Sequence, residues 1–262
     1  MKTCFLTIDI ESASARSERA SADKKGKDFE GVEKLDGILN IFKKHKVNAT
    51  LFVTGEVLAK YPDLVKKWSQ NYEIGCHSYY HNTLNMLNLE ARKHQISNFV
   101  ELYQGLFKAR PKGFRAPRNI IDNEQFPILE KYGFLYDASV FPRYPWWKKR
   151  YEGYKGKAPI LPYWINNKIF EIPESPVGFN IPLVGTWLRK LGIGFYKFLF
   201  ILRKPEFISF SMHSWDGVKF EGGKNSGERY LNQLDRVISH LKKIGYIFKT
   251  GEQIYEEFSK NH

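Results

Sequence analysis

At 262 residues, 42% hydrophobic and 16% aromatic, the chain can bury a large core, as one α/β barrel of about 250 residues or as two small domains; one domain over residues 1–262 is the expectation. Its 41 basic against 28 acidic residues give a net charge of +13, which favours an anionic partner. The basic residues are spread over segments such as Lys24 to Lys27, Lys148 to Arg150 and Arg189 to Lys197 without an RNA-binding or zinc-finger signature, so no nucleic-acid partner is expected, and two cysteines, Cys4 and Cys76, exclude a disulfide framework.

Residues 2–8 form a short apolar, β-branched run ending on Asp9-Ile10-Glu11, which predicts a buried strand delivering two carboxylates at its C-terminal end. The acid at Asp9 falls where a cleaved export signal would still need apolar residues, which predicts a cytoplasmic chain. A polar stretch, 12–31, follows; at about twenty residues it is long for a structureless connection and reads as a lid or a disordered loop. Leu35, Ile38, Leu39 and Phe42 share a helical face, Ala49 to Val53 reads as a strand, and Leu58, Tyr61, Leu64, Val65 and Trp68 mark a further helix.

The alternation continues. Tyr72 to Cys76 reads as a strand, Ile96, Val100, Tyr103 and Phe107 as a helix, Gly113 to Arg115 as a strand end, Ile128 to Tyr132 as a helix end and Phe134 to Ser139 as a strand. An insertion at about 141–166, dense in Pro, aromatic and basic residues, interrupts the rhythm as an ordered loop or small hairpin. Ile169 to Pro173 is a strand, Pro182 to Leu202 amphipathic helical sequence, Phe207 to Met212 a strand, Glu228 to Ile244 a helix and Tyr246 to Lys249 a last strand. Thr250-Gly251-Glu252-Gln253 fits a capping box opening a terminal helix. Strands alternating with helices predict an α/β fold with a parallel sheet, closed as a barrel or open and doubly wound. Asp9, Glu11, His77, Arg115, Asp137 and His213 all fall at predicted strand C-termini, the active-site face of a β/α barrel.

Two histidines four apart, His77 and His81, can close on one metal ion. Thr7-Ile8-Asp9-Ile10-Glu11, His77-Ser78-Tyr79-Tyr80-His81, Arg115-Ala116-Pro117-Arg118 and Ser211-Met212-His213 resemble, in order, motifs of the carbohydrate esterase family 4 polysaccharide deacetylases, the NodB homology family. The resemblance implies a distorted (β/α) barrel of about seven parallel strands, a divalent metal, commonly zinc, and removal of an N-acetyl or N-formyl group from an amino sugar. It implies that Glu11, His77 and His81 hold the metal, that Asp9 is the base, that Arg115 orients Asp9, that His213 protonates the leaving amine and that Asp137 supports His213. The family pattern has two adjacent aspartates; here Ile10 separates Asp9 from Glu11, and their roles could be exchanged. Tyr79 and Trp215 are candidates for lining a sugar pocket, with core packing the alternative for each.

The implied substrate is an amino-sugar glycan or a precursor, including a lipid-linked sugar. The segment 181–204, apolar with interspersed cations, either makes peripheral contact with the inner membrane face or packs on the barrel with its basic residues outward. The rival readings are a metal-free glycoside hydrolase using Asp9 and Glu11 and a basic, non-catalytic glycan-binding barrel.

Overall fold

The computed structural model describes residues 2–13, 29–142, 158–220 and 222–259. Most of the polar stretch 12–31 and the middle of the insertion 141–166 therefore lie outside the described residues. The elements in order are β1 (Lys2–Ile10), α1 (Glu30–Glu33), α2 (Asp36–His45), β2 (Thr50–Val53), α3 (Gly55–Lys60), α4 (Pro62–Ser69), β3 (Glu73–Cys76), α5 (Leu89–Phe107), β4 (Gly113–Phe114), α6 (Gln125–Lys131) and β5 (Tyr136–Asp137). The second half holds β6 (Tyr163–Ile165), β7 (Ile169–Glu171), β8 (Pro176–Gly178), β9 (Ile181–Val184), α7 (Gly185–Arg203), β10 (Phe207–His213), α8 (Glu228–Lys243), β11 (Tyr246–Lys249) and α9 (Gly251–Phe258).

The strands form one sheet in the order β6-β7-β5-β4-β3-β2-β1-β10-β9-β8, with β11 beside the first half of β1. Every pairing from β7 across to β9 is parallel, and β6 and β8 add antiparallel hairpins at the two ends. This mostly parallel, curled sheet with helices outside is the distorted (β/α) barrel expected from the motifs. Alternation along β1 fills two cores. Cys4, Leu6, Ile8 and Ile10 join the large cluster shared with the helices, whereas Phe5 packs inside the barrel with Phe52, Tyr136, Phe170 and Phe207. Continuing on that inner side, Thr7, Asp9 and Glu11 take the lining from apolar to acidic within six residues.

Local chemistry explains the helix ends. The Asn88 side chain accepts a hydrogen bond from Ala91 N at 2.9 Å and starts α5, and Thr250 and Gln253 form the expected capping box on α9. Lys46, Lys108 and Lys204 close α2, α5 and α7 in the left-handed region. At the N-terminal end of the barrel, Tyr136 occupies space where a Cβ on Gly113 or Gly251 would lie 2.1 or 2.2 Å from its ring, so both positions require glycine.

Two boundaries differ from expectation. Residues 134–139 pair only at Tyr136–Asp137, because Leu135 N and Ala138 N donate to neighbouring loop and strand carbonyls as the chain turns past β4. The helix expected over 182–202 begins at Gly185; Ile181–Val184 is instead a strand paired on one side with β10 and on the other with β8. Phe179 and Asn180, both at positive φ, make that hairpin turn, and Asn166 and Asn167 make the equivalent turn between β6 and β7.

Candidate active site

Four strand ends meet at the C-terminal mouth. Asp9 and His213 are register partners across β1 and β10, Glu11 follows β1 directly, and His77 and Arg115 follow β3 and β4. His77 Nδ1 lies 2.8 Å from Arg115 O. A carbonyl only accepts, so Nδ1 carries a proton, and Nε2 faces Glu11 Oε2, 3.4 Å away. His81 Nε2 lies 2.6 Å from the same oxygen.

The loop that brings both rings to one carboxylate is strained. Ser78, buried between them, has φ +64°, and Gln95 Oε1 holds the turn by accepting from Ser78 Oγ at 3.2 Å and Tyr80 N at 2.7 Å. Burial alone would raise the Glu11 carboxyl, but the His81 and His77 imidazoles outweigh it and hold it well below the usual carboxylate range. Burial lowers the pKa of His81; for His77, burial is outweighed by Asp9 and Glu11 and the pKa rises.

Glu11 Oε2 and His81 Nδ1 are buried and satisfy no hydrogen bond, and one ligand atom from each of Glu11, His77 and His81 lies within 4.8 Å of the others. A carboxylate and two imidazole nitrogens turned toward one point repel unless a cation stands between them. Hard oxygen with borderline nitrogen is also the donor set that first-row divalent ions take. The residues present fit a divalent metal.

Asp9 is bound differently. Arg115, fully buried, donates from Nη1 to Asp9 Oδ1 at 2.9 Å and to Thr7 Oγ1 at 2.7 Å, and from Nε to Ala138 O at 3.0 Å. Its guanidinium lies 4.5 Å from the Phe52 ring centre, so it forms the boundary between the apolar barrel interior and the mouth. Burial disfavours its charge, yet Asp9 and Glu174 raise its pKa further.

His213 stacks on Trp215 with ring centres 4.5 Å apart and planes 9° from parallel. Its Nε2 is 3.9 Å from Glu11 Oε1, and its Nδ1 is 3.8 Å from Asp216 Oδ2, which also accepts from His213 N at 3.0 Å. Burial works against the imidazolium, but Asp216 and Glu11 outweigh it and push the pKa up to about 9.

Asp137, expected to support His213, accepts instead from Ser139 Oγ at 2.6 Å and faces Glu171, its cross-strand partner. The carboxylates that face His213 are Asp216 and Glu11. Of the two aromatic candidates, Trp215 is buried with its face on the imidazole. The Tyr79 ring sits over Gly55, beside a groove of about 600 Å³ lined by α3 and α5 residues such as Leu58, Asn98 and Glu101.

Sequence reasoning passed over three functional neighbours. Glu174 Oε2 is 3.5 Å from Arg115 Nη2, and Glu174 Oε1 accepts from Ser211 Oγ at 2.9 Å. Asp216 Oδ1 is 2.8 Å from Nε of the buried Arg189, whose Nη1 donates to Lys224 O at 3.0 Å. A Cβ on Gly185 would lie 2.2 Å from Asp216 Oδ2, so α7 starts with glycine in order to approach this carboxylate. The available signals were short: an acid three residues after His213, as in a capping box, and an acid after the β7 strand and its Pro173.

Residues 25–136 match the polysaccharide deacetylase family. A peptidoglycan-N-acetylglucosamine deacetylase of Bacillus cereus is 33% identical over 121 residues, 46% of this chain and 43% of its own length. Such matches span 37% to 43% of the curated relatives' length. In fold, a Mycobacterium smegmatis protein described as a polysaccharide deacetylase superposes with a TM-score of 0.72 at 17% identity, over 99% of this chain and 91% of that one. A protein of Bacillus anthracis described as a CE4 family pseudoenzyme superposes with a TM-score of 0.61 at 16% identity, over 97% and 66%. The matched segment, the four motifs in their order and the shared barrel make the chain similar to the polysaccharide deacetylase family, with the family match itself confined to residues 25–136.

Proposed function

We propose that the protein is a metal-dependent carbohydrate N-deacetylase that hydrolyses an N-acetyl or N-formyl group from an amino sugar of a glycan or glycan precursor, lipid-linked sugars included. The observation that carries this reading is the division of labour between two neighbouring carboxylates. Glu11 faces two imidazoles with an unsatisfied oxygen, while Asp9 is held by a buried arginine.

Glu11, His77 and His81 would hold the ion, zinc or another divalent metal. Bound there, it supplies electrophilic polarisation of an amide carbonyl and acidifies water. The chain's own residues do the proton work. Asp9, aimed by Arg115, accepts a proton from the attacking water. His213, protonated through neutral pH and held by Trp215 and Asp216, delivers a proton to the departing nitrogen as the C–N bond breaks. The products are a carboxylic acid and a free amine. The Asp9–Arg115 pair supports the assignment of Asp9 as base and Glu11 as ligand.

A metal-free glycoside hydrolase using the same two acids fits poorly. Such a pair needs one carboxyl kept protonated, whereas Glu11 is held well below its usual range and Asp9 is ion-paired. The test is metal content together with acetate or formate release from polymeric, nucleotide-linked and polyprenyl-linked N-acyl amino sugars. The expected result is about one ion per chain, lost in His77→Ala together with acid release. Release that persists in an ion-free protein would overturn the proposal.

A further inference from the structure

Helix α7 is apolar on two opposite sides. Its inner face, with Leu188, Ile193, Tyr196, Leu199 and Phe200, is buried against the sheet and α8. Beyond a kink at Gly192 its outer face repeats the pattern: Phe198 is 59% exposed, Ile201 71% and Leu202 52%, with Gly194 ahead of them. Gly192 kinks the helix (φ 74°, ψ 166°), and beyond it positions 194, 198 and 201 follow helical spacing and make a stripe about 10 Å long. At its far end the β8–β9 turn adds Phe179, 57% exposed, with the Arg203 guanidinium 4.2 Å above its ring. A stripe of this kind, apolar and contiguous, marks a surface that something covers.

Charge says what covers it. Residues 175–205 contain no Asp or Glu but carry Arg189, Lys190, Lys197, Arg203 and Lys204. Arg189 is committed to Asp216, whereas Lys190, Arg203 and Lys204 are exposed and Lys197 is half-buried at the margin of the stripe. Lys243 of α8 adds a cation on that side, since it and Lys197 both act, after burial, to lower the pKa of His240. A second copy of the chain would set these like charges against each other, and both partners would carry +13. An anionic lipid surface accepts the apolar stripe among its acyl chains and the lysines among its phosphates. Among the described residues no helix is long and apolar enough to cross a membrane, so α7 would lie on the surface rather than span it.

We infer that the outer face of α7, with Phe179, is a docking surface for an anionic lipid bilayer. The first turn of α7 approaches Asp216 beside His213, and the stripe begins beyond the kink at Gly192 and runs toward Arg203. A bilayer under the stripe therefore lies along the flank of the barrel that α7 covers. The inference stands on α7 itself and does not depend on the deacetylase reading.

The full chain is sedimented with vesicles of phosphatidylcholine alone and of phosphatidylcholine mixed with phosphatidylglycerol. Binding to the anionic vesicles, weakened by salt, and little binding to the neutral ones is expected. The exposed pair Phe198→Ser with Ile201→Ser should weaken that binding at least about tenfold, and Lys197→Ser with Lys204→Ser should reduce it severalfold and flatten the salt dependence. Circular dichroism checks that both double variants remain folded, and bound metal should stay unchanged in each. Failure to bind anionic vesicles, or binding that both variants leave untouched, overturns the inference. So does a chain dimer that Phe198→Ser with Ile201→Ser dissociates while vesicle binding is absent.

Discussion

Two glutamates sit at opposite ends of the barrel in opposite states. Glu73, where β3 begins, accepts from Tyr136 OH at 2.8 Å on one oxygen and from Thr50 Oγ1 at 2.7 Å and Glu252 N at 3.1 Å on the other. Burial raises its pKa and those donors partly offset the rise. Thr50 in turn accepts from Gly251 N at 2.9 Å, so the cluster ties β2, β3, β5 and the start of α9 together. Glu11 at the mouth is more enclosed, yet one of its oxygens has no hydrogen-bond donor and looks at two nitrogens. The N-terminal end is satisfied by the protein itself; the C-terminal end leaves an acceptor that a cation from outside would satisfy. That asymmetry is the physical content of the rule that a β/α barrel keeps stability at one end and chemistry at the other.

Glu11→Gln should break the comparison hardest. The amide keeps the shape, removes the charge, and should abolish tight ion binding and lower turnover by about a thousandfold or more. The thermal midpoint of the ion-free protein should fall slightly near neutral pH, because the two imidazoles favour the Glu11 charge in the folded state and the amide loses that stabilisation. Metal analysis, turnover and a melting curve on one preparation check all three.

Asp216→Asn sharpens the comparison within the mouth. It leaves Glu11, His77 and His81 in place and removes the charge facing His213, so ion content should hold while turnover falls about 10- to 100-fold. Asp137→Asn, aimed at a carboxylate that contacts Ser139 and Glu171, should cost turnover less. An equal loss in both variants would mean that support of His213 reaches it through β5 after all.

Glu73→Ala tests the other end. Three donors lose their acceptor, which should cost about 1–3 kcal/mol, or several degrees of melting temperature, with ion content and turnover per folded molecule intact. A Glu73 variant that loses its ion would erase the distinction between the two ends.

How far the site can be read in sequence follows the same division. Asp9, Glu11, His77, Arg115 and His213 announce themselves because each stands at a strand terminus where an apolar run stops, His81 because it follows His77 by four residues, and period-two alternation puts Asp9 and Glu11 on one side of β1. The separate environments of Asp9 and Glu11 could not be read, because they depend on Arg115 and the His pair arriving from other strands. Glu174, Asp216 and Arg189 stayed hidden for that reason: each acquires meaning only through a partner 27 to 59 residues away or through a capping turn. The β8–β9 hairpin was concealed differently. Ile181 to Val184 runs without a polar break into the apolar start of α7, so no change of period marks the boundary.

The smallest predicted effect concerns the acids between the two ends. Asp137 and Glu171, cross-strand neighbours with no exposure, are both raised above the usual range by burial, Glu171 further by the Asp137 charge beside it. Val140 N donates to Glu171 Oε1 at 2.9 Å, so the pair also fixes the chain as it leaves β5. A carboxyl raised in the folded state binds more protons folded than unfolded above about pH 4, so its contribution to stability is present in acid and is lost as pH climbs through the folded value. The unfolding free energy of the native chain should therefore decline between about pH 5 and pH 8 by more than that of Glu171→Gln, the difference being on the order of 1 kcal/mol, read from melting curves across that range. Glutamine cannot ionise and can still donate to Asp137, so parallel pH curves for the two proteins would show that the pair is not sharing a proton.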